Sequence, residues 1–148
     1  MNAPGRRSMF VAEPAAMWRQ RDPVVVDCSV LAALLWAEPA ADEAAAQLAG
    51  KSLHAPALIV YELANVARNK CRAGVPADVA QAGLASFAEQ RMVLHDPDAL
   101  PLFDLAQRYK LTAYDAAYLA LAASLNAPLL TFDQRLADAA ARHLGGAG

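Results

Sequence analysis

The sequence predicts an α/β fold in which a central parallel sheet of four strands, or five, is covered by helices on both faces, and three observations predict it. Short β-branched or apolar runs recur along the chain, and a helical pattern separates every pair of them. Strands joined through helices need crossover connections, so they run parallel. The first run, Val24-Val25-Val26, is apolar on both sides of its pleat, as a strand buried on both faces must be.

Residues 1–21 hold Pro4, Gly5, Pro14 and mixed charges without periodicity and read as an N-terminal extension, with Trp18 as its one candidate anchor. The domain is expected over 22–148. A strand at 24–26 ends on Asp27. Ser29 is placed to cap a helix through Leu31, Leu34, Leu35 and Trp36, which Glu38-Pro39 stops before an alanine-rich helix ending at Gly50. Residues 53–55 form the second strand, closed by Pro56, and a long helix over 58–72 is ended by Gly74. Val79, Leu84 and Phe87 mark a helix over 76–90, and 92–94 is the third strand before Pro97. Helices follow over 98–109 and 112–125. Residues 128–132 make the fourth strand, and a last helix over 133–143 precedes Gly145-Gly146.

A chain of 148 residues can bury roughly 70% of its unfolded surface, enough for one core. With 57% hydrophobic and 19% charged residues it is too apolar for disorder. No apolar run reaches the ~18 residues of a membrane span. The uncharged stretch 116–132 is broken by Ser124, Asn126 and Pro128. Arg6 and Arg7 are followed by Glu13, Pro14 and Arg19 rather than by an apolar export core, so a soluble cytoplasmic protein is expected. Cys28 and Cys71 have neither metal-site nor disulfide-scaffold spacing and read as reduced thiols. A net charge of −2 argues against a broad electrostatic grip on nucleic acid, so any such ligand must be held locally.

The informative residues are lone acids. Asp27 is the only charged residue between Val24 and Ala37, Glu62 the only one between Leu53 and Ala67 with His54 neutral, and Asp115 the only one between Leu111 and Phe132. An ionised carboxylate among core-bound neighbours costs several kcal/mol unless it is paired, hydrogen-bonded or metal-bound. No lysine or arginine lies in those segments, whereas a hard divalent cation satisfies several carboxylates at once, and magnesium suits oxygen ligands best. Asp133 follows the fourth strand as Asp27 follows the first, so four acids are expected at the carboxyl edge of the sheet, where ligands of such folds lie.

Structural readings compete. Thr112-x-x-Asp115 fits a capping box, Asp133 an N-cap, and Asp27 a turn before Ser29. Glu62 is hardest to explain this way because it is expected mid-helix between Tyr61 and Leu63, with Asn65 and Asn69 on the same face. That stripe suggests a wet pocket or an exposed polar face, and Arg68, Lys70 and Arg72 nearby suit either solvent or phosphate. His54, His95 and His143 lack metal-ligand spacing and read as structural, as does Cys28 beside Asp27. Asp42, Glu43, Glu89, Asp98, Asp104 and Asp138 read as solvated helix-face or cap acids.

Taken in order, Val24-Val25-Val26-Asp27-Cys28-Ser29-Val30, Tyr61-Glu62-Leu63-Ala64-Asn65, the run from Thr112-Ala113-Tyr114-Asp115-Ala116-Ala117-Tyr118 to Ala122, and Leu129-Leu130-Thr131-Phe132-Asp133 resemble the PIN domain, and more narrowly the VapC toxins of bacterial toxin–antitoxin pairs. The resemblance spans residues 24–141. It implies a three-layer α/β/α PIN-like fold and a magnesium- or manganese-dependent endoribonuclease whose metal ligands match Asp27, Glu62 and Asp115, with Asp133 as the fourth acid. Ser29 and Thr131 match the hydroxyl positions beside those acids. A homodimer and a cognate VapB-like antitoxin that blocks the groove are implied as well. The chain departs from the pattern after its last helix, where Gly145-Gly146-Ala147-Gly148 leaves little for the final edge strand many members carry.

The alternative is a catalytically inactive protein of the same fold that binds RNA or an antitoxin. A small-molecule phosphatase is disfavoured because Ser29, not a second aspartate, stands two after Asp27, and nucleotide-binding readings lack a glycine-rich loop after the first strand. The RNA target is not legible. Selectivity is expected from groove shape and from local bases such as Arg68, Lys70, Arg72, Arg108 or Arg135.

Overall fold

The computed structural model of the chain describes residues 21–145, so the N-terminal extension with Trp18 lies outside the described residues apart from Arg21. In chain order the elements are β1 (Pro23–Val26), α1 (Cys28–Leu35), α2 (Ala41–Leu48), β2 (Ser52–Pro56), α3 (Ile59–Arg72), α4 (Ala77–Glu89), β3 (Val93–His95), α5 (Ala99–Tyr109), α6 (Ala113–Leu125), β4 (Leu129–Leu130) and α7 (Gln134–Gly145). The strands form one parallel sheet in the order β3-β2-β1-β4.

Right-handed crossovers dictate the layers. The walk β1 to β2 to β3 puts α1 to α4 on one face, and the return from β3 across to β4 puts α5 and α6 on the other, where α6 packs on β1, β2 and β4. Covered on both sides, Val24, Val25 and Val26 are buried, and the core gathers Leu31, Ile59, Leu63, Tyr118, Leu119 and Leu136 around them. This is the three-layer α/β/α arrangement expected. No fifth strand is present among the described residues, and the chain after Gly145 lies outside them.

Two local expectations are corrected. Ser29 does not cap α1, which begins one residue earlier at Cys28 with Asp27 in the extended N-cap position; the Ser29 hydroxyl is engaged elsewhere. The fourth strand is shorter than its apolar run because Asp27 N–H to Leu130 O (2.9 Å) is the last bond it can make before β1 turns into α1. Thr131 and Phe132 then have no strand to pair with. Elsewhere the element ends shift by a residue or two, and Gly74 ends the third helix at φ +102° as expected.

One contact clamps the helices that support the site. The Trp36 ring at the end of α1 lies against α4, its Nε1 donating to the Ala80 carbonyl (3.3 Å), while Lys70 of α3 sits 5.4 Å from the ring centre and pairs with Glu38 at 2.7 Å. Gly83 leaves room for that ring, since a Cβ there would stand 2.3 Å from its atoms. Helix propensity alone favours Gly83→Ala by about 1 kcal/mol, but overpacking against a held indole costs about 1–3 kcal/mol. Gly83→Ala is therefore expected to lower stability, read as a lower urea midpoint; a raised midpoint would show that the ring is free to move aside.

Candidate active site

The carboxyl edge of the sheet collects the lone acids. Asp27 leaves the end of β1, and with 7% exposure it is the buried charged residue of the described chain. Its Oδ2 accepts hydrogen bonds from Ser29 Oγ (2.7 Å) and Thr131 Oγ1 (2.8 Å). Both hydroxyl oxygens also accept: Phe132 N–H donates to Ser29 Oγ (3.0 Å) and Asp133 N–H to Thr131 Oγ1 (2.9 Å). The knot ties the loop after β1 to the loop after β4 and places Asp133 ahead of α7. There Asp133 Oδ1 accepts from Leu136 N–H (3.1 Å), so its N-cap reading holds.

Glu62 and Asp115 arrive on helices. Glu62 stands not mid-helix, as expected, but in the first turn of α3, which begins at Ile59; it is half-buried, and its Oε1 accepts from the phenol of Tyr118 at 2.5 Å. Tyr118 is fully buried on α6, three residues beyond Asp115, so one helix face supplies both an acid and the donor that holds another acid. Asp115 stands in the first turn of α6, where its N–H donates to the capping Thr112 Oγ1 (3.1 Å). The capping reading of Thr112 is correct, and it orients Asp115 rather than accounting for it.

The charges feel one another. Burial raises the Glu62 carboxyl above its ordinary range, the charges of Asp27 and Asp115 push the same way, and the Tyr118 hydrogen bond opposes them. Burial likewise raises Asp115, helped by Asp133 and Asp27 and opposed by the Thr112 hydroxyl and the Arg135 guanidinium. Among the described residues no lysine or arginine forms an ion pair with any of the four acids. Cys28 is no nucleophile: burial, then Glu62 and Asp27, push its thiol up to about 12.

The donor set suits a hard cation. Among the described residues no three acid, histidine or cysteine side chains are gathered closely enough to hold a metal ion on their own. Magnesium takes oxygen ligands, one or two carboxylates with water and substrate oxygens filling the remaining positions, and carboxylates are what this edge presents. The histidines are engaged away from it: His54 with Ser52 (3.0 Å) and His95 (2.8 Å), His143 with Tyr109 (2.9 Å).

Of the expected residues, Asp27, Ser29 and Thr131 share one hydrogen-bond knot, Asp133 is attached to it through its own N–H, and Glu62 and Asp115 lie within electrostatic reach of Asp27. Asn65 shares a groove with Glu62, lined also by Leu58, Tyr61 and Tyr114, which does not extend to Asn69. Sequence reasoning gave no role to Tyr118. Its signal was a phenol three residues after Asp115 in an otherwise apolar helix, where a buried hydroxyl needs an acceptor.

Comparison with known proteins bears on the whole domain. The chain matches the PIN domain over residues 24–142. It is 31% identical over 121 residues to Ribonuclease VapC3 of Pyrobaculum aerophilum, an alignment covering 78% of this chain and 92% of that protein. Its fold superposes on the crystal structure of PAE2754 from Pyrobaculum aerophilum with a TM-score of 0.65 and 26% identity, over 80% of this chain and 79% of that one. With the four acids in order on the sheet edge and the match running through nearly every element, this chain belongs to the PIN-domain family, in its VapC-type branch.

Proposed function

We propose that this protein is a cytoplasmic endoribonuclease that hydrolyses RNA phosphodiester bonds with a divalent metal ion, magnesium or manganese, and serves as the toxin of a toxin–antitoxin pair. Its partners in this reading are the RNA, a VapB-like antitoxin covering the acidic groove, and a second copy of itself. The observation that carries the reading is a buried, hydroxyl-held carboxylate ringed by three further acids, with no ion-pairing base among the described residues. A relative that covers most of the chain carries the name ribonuclease.

Asp27 and Asp115 would hold the ion directly, with Glu62 and Asp133 supporting it directly, through water, or at a second ion. When bound, the ion lowers the pKa of water beside the scissile phosphodiester and offsets charge on the phosphoryl oxygens. Ser29 and Thr131 fix the rotamer of Asp27 by occupying one of its oxygens. Tyr118 does the same for Glu62 and is a positioning residue. Its burial drives its own pKa upward, so it remains a donor throughout the working range. Burial and the neighbouring acids raise the Glu62 carboxyl above its ordinary range in the metal-free protein, and a bound cation would oppose that rise.

The decisive experiment incubates purified, antitoxin-free protein with mixed cellular RNA in magnesium, manganese or EDTA. Discrete metal-dependent fragments are expected, with Asp27→Asn and Asp115→Asn reducing cleavage by at least about 100-fold while circular dichroism stays native. Undiminished cutting by either variant would sink the assignment.

Stability follows with a defined sign. Glu62 and Asp115 have raised pKa values in the fold, so the folded state binds protons more tightly and metal-free stability falls as pH rises through those values. At neutral pH in EDTA, Asp115→Asn is expected to melt above wild type, while magnesium raises wild type and leaves the variant unmoved; equal melting points in EDTA would mean that neither burial nor repulsion makes the Asp115 charge costly.

Tyr118→Phe removes the one contact that lowers the Glu62 pKa. The acid limb of its kcat/KM profile should move to higher pH. Its loss of stability, about 1–3 kcal/mol for an unsatisfied carboxylate, should be larger at pH 8 than at pH 5. An unshifted limb would remove Glu62 from the reaction.

A further inference from the structure

The groove beside Glu62 is flanked by two tyrosines that the reaction does not use. Tyr61 and Tyr114 are 76% and 66% exposed, and each immediately precedes an acid, Glu62 on α3 and Asp115 on α6. With Leu58, Glu62 and Asn65 they line one open groove of about 510 Å³, within the size range of small-molecule sites. Two exposed aromatic faces beside a charged centre offer a surface on which a flat ligand can stack.

The helix continues the argument. On α3, Tyr61, Asn65, Arg68 and Arg72 fall at i, i+4, i+7 and i+11 and are all exposed, so they form one stripe about 16 Å long without an acid in it. Among the described residues neither Arg68 nor Arg72 pairs with a carboxylate. From the acids outward the stripe presents an aromatic face, an amide that both donates and accepts, and two guanidinium groups. That order matches a nucleotide chain entering the site: a base to stack, a base edge to hydrogen-bond, and phosphates to neutralise.

We propose that Tyr61 and Tyr114 form a base-stacking subsite for an unpaired nucleotide next to the scissile phosphodiester, with Asn65 on the base edge and Arg68 and Arg72 on the adjoining backbone. The subsite rests on the nuclease reading for the position of the cut strand. It selects unpaired RNA because a duplex keeps its base faces stacked on one another and has none to offer a tyrosine. Specificity then lies in α3 and α6 themselves, on the residues before the acids. Because the stacking faces accept any base, the Asn65 amide supplies what base preference there is.

The test measures binding separately from cleavage. In an Asp27→Asn background with magnesium, a labelled mixed-sequence single-stranded RNA and the same strand annealed into a duplex are titrated by fluorescence anisotropy. Tyr61→Ala and Tyr114→Ala are each expected to weaken single-strand binding about 5- to 150-fold while leaving the duplex unchanged, and the Phe variants restore it. Arg68→Ala and Arg72→Ala weaken both ligands and each lowers the salt slope by roughly 0.7–0.9. With the acids intact, Tyr61→Ala raises KM and spares kcat. Unchanged single-strand affinity in both Ala variants overturns the subsite even where wild type cuts RNA. Tyrosine-dependent binding by a protein that cuts no RNA supports the subsite and discards the nuclease. A change of oligomeric state in the Ala variants on size-exclusion chromatography would assign the tyrosines to a protein interface and overturn the proposal.

Discussion

A carboxylate buried at the end of a parallel strand is the constraint around which this edge of the molecule is organised. Left alone, the Asp27 side chain would cost several kcal/mol to desolvate. Two hydroxyls, from Ser29 on its own helix and Thr131 far along the chain, supply the hydrogen bonds that make burial tolerable. Because those hydroxyl oxygens also accept the N–H groups of Phe132 and Asp133, satisfying Asp27 sets the path of the chain between β4 and α7. The position of Asp133 is therefore a consequence of the burial of Asp27.

The remaining acids are supported by where the helices begin. Glu62 and Asp115 occupy the first turns of α3 and α6, and Asp133 caps α7, so three helix N-termini direct their positive ends at one negative cluster. Glu62 and Asp115 nonetheless hold their protons more tightly than ordinary carboxyls, first because they are buried and then because the neighbouring acids repel. A site of carboxylates gathered and buried in this way costs the fold stability. The structure around it is correspondingly firm: Tyr118 reaches Glu62 from the core, and the Trp36 clamp joins α1, α3 and α4 behind it.

How much of this was legible in the amino-acid order depends on the range of the interaction. The strands Val24-Val25-Val26 and Leu129-Leu130, the helices between them and the parallel sheet follow from local periodicity and from the need for crossovers, which are properties of short windows. Asp27, Glu62 and Asp115 stood out because each is a charge isolated among apolar neighbours, Asp133 because it follows a strand as Asp27 does, and Thr112 was legible as a cap from a spacing of three residues. Ser29 was misjudged as a cap because a hydroxyl after an aspartate serves a helix start or a buried carboxylate equally well, and only the arrival of Thr131 and Phe132 decides between them.

By itself, then, the sequence determined the alternation of elements, the carboxyl edge as the place of the acids and the acids themselves, since these rest on patterning within a dozen residues. Only the tertiary structure decided that Tyr118 holds Glu62 across 56 positions, that Thr131 holds Asp27 across 104, that β4 stops at Leu130, and that Tyr61 and Tyr114 share a groove. Each is a contact between segments brought together by the crossovers of the sheet. No spacing along the chain encodes a hydrogen bond whose two partners first meet when the core closes.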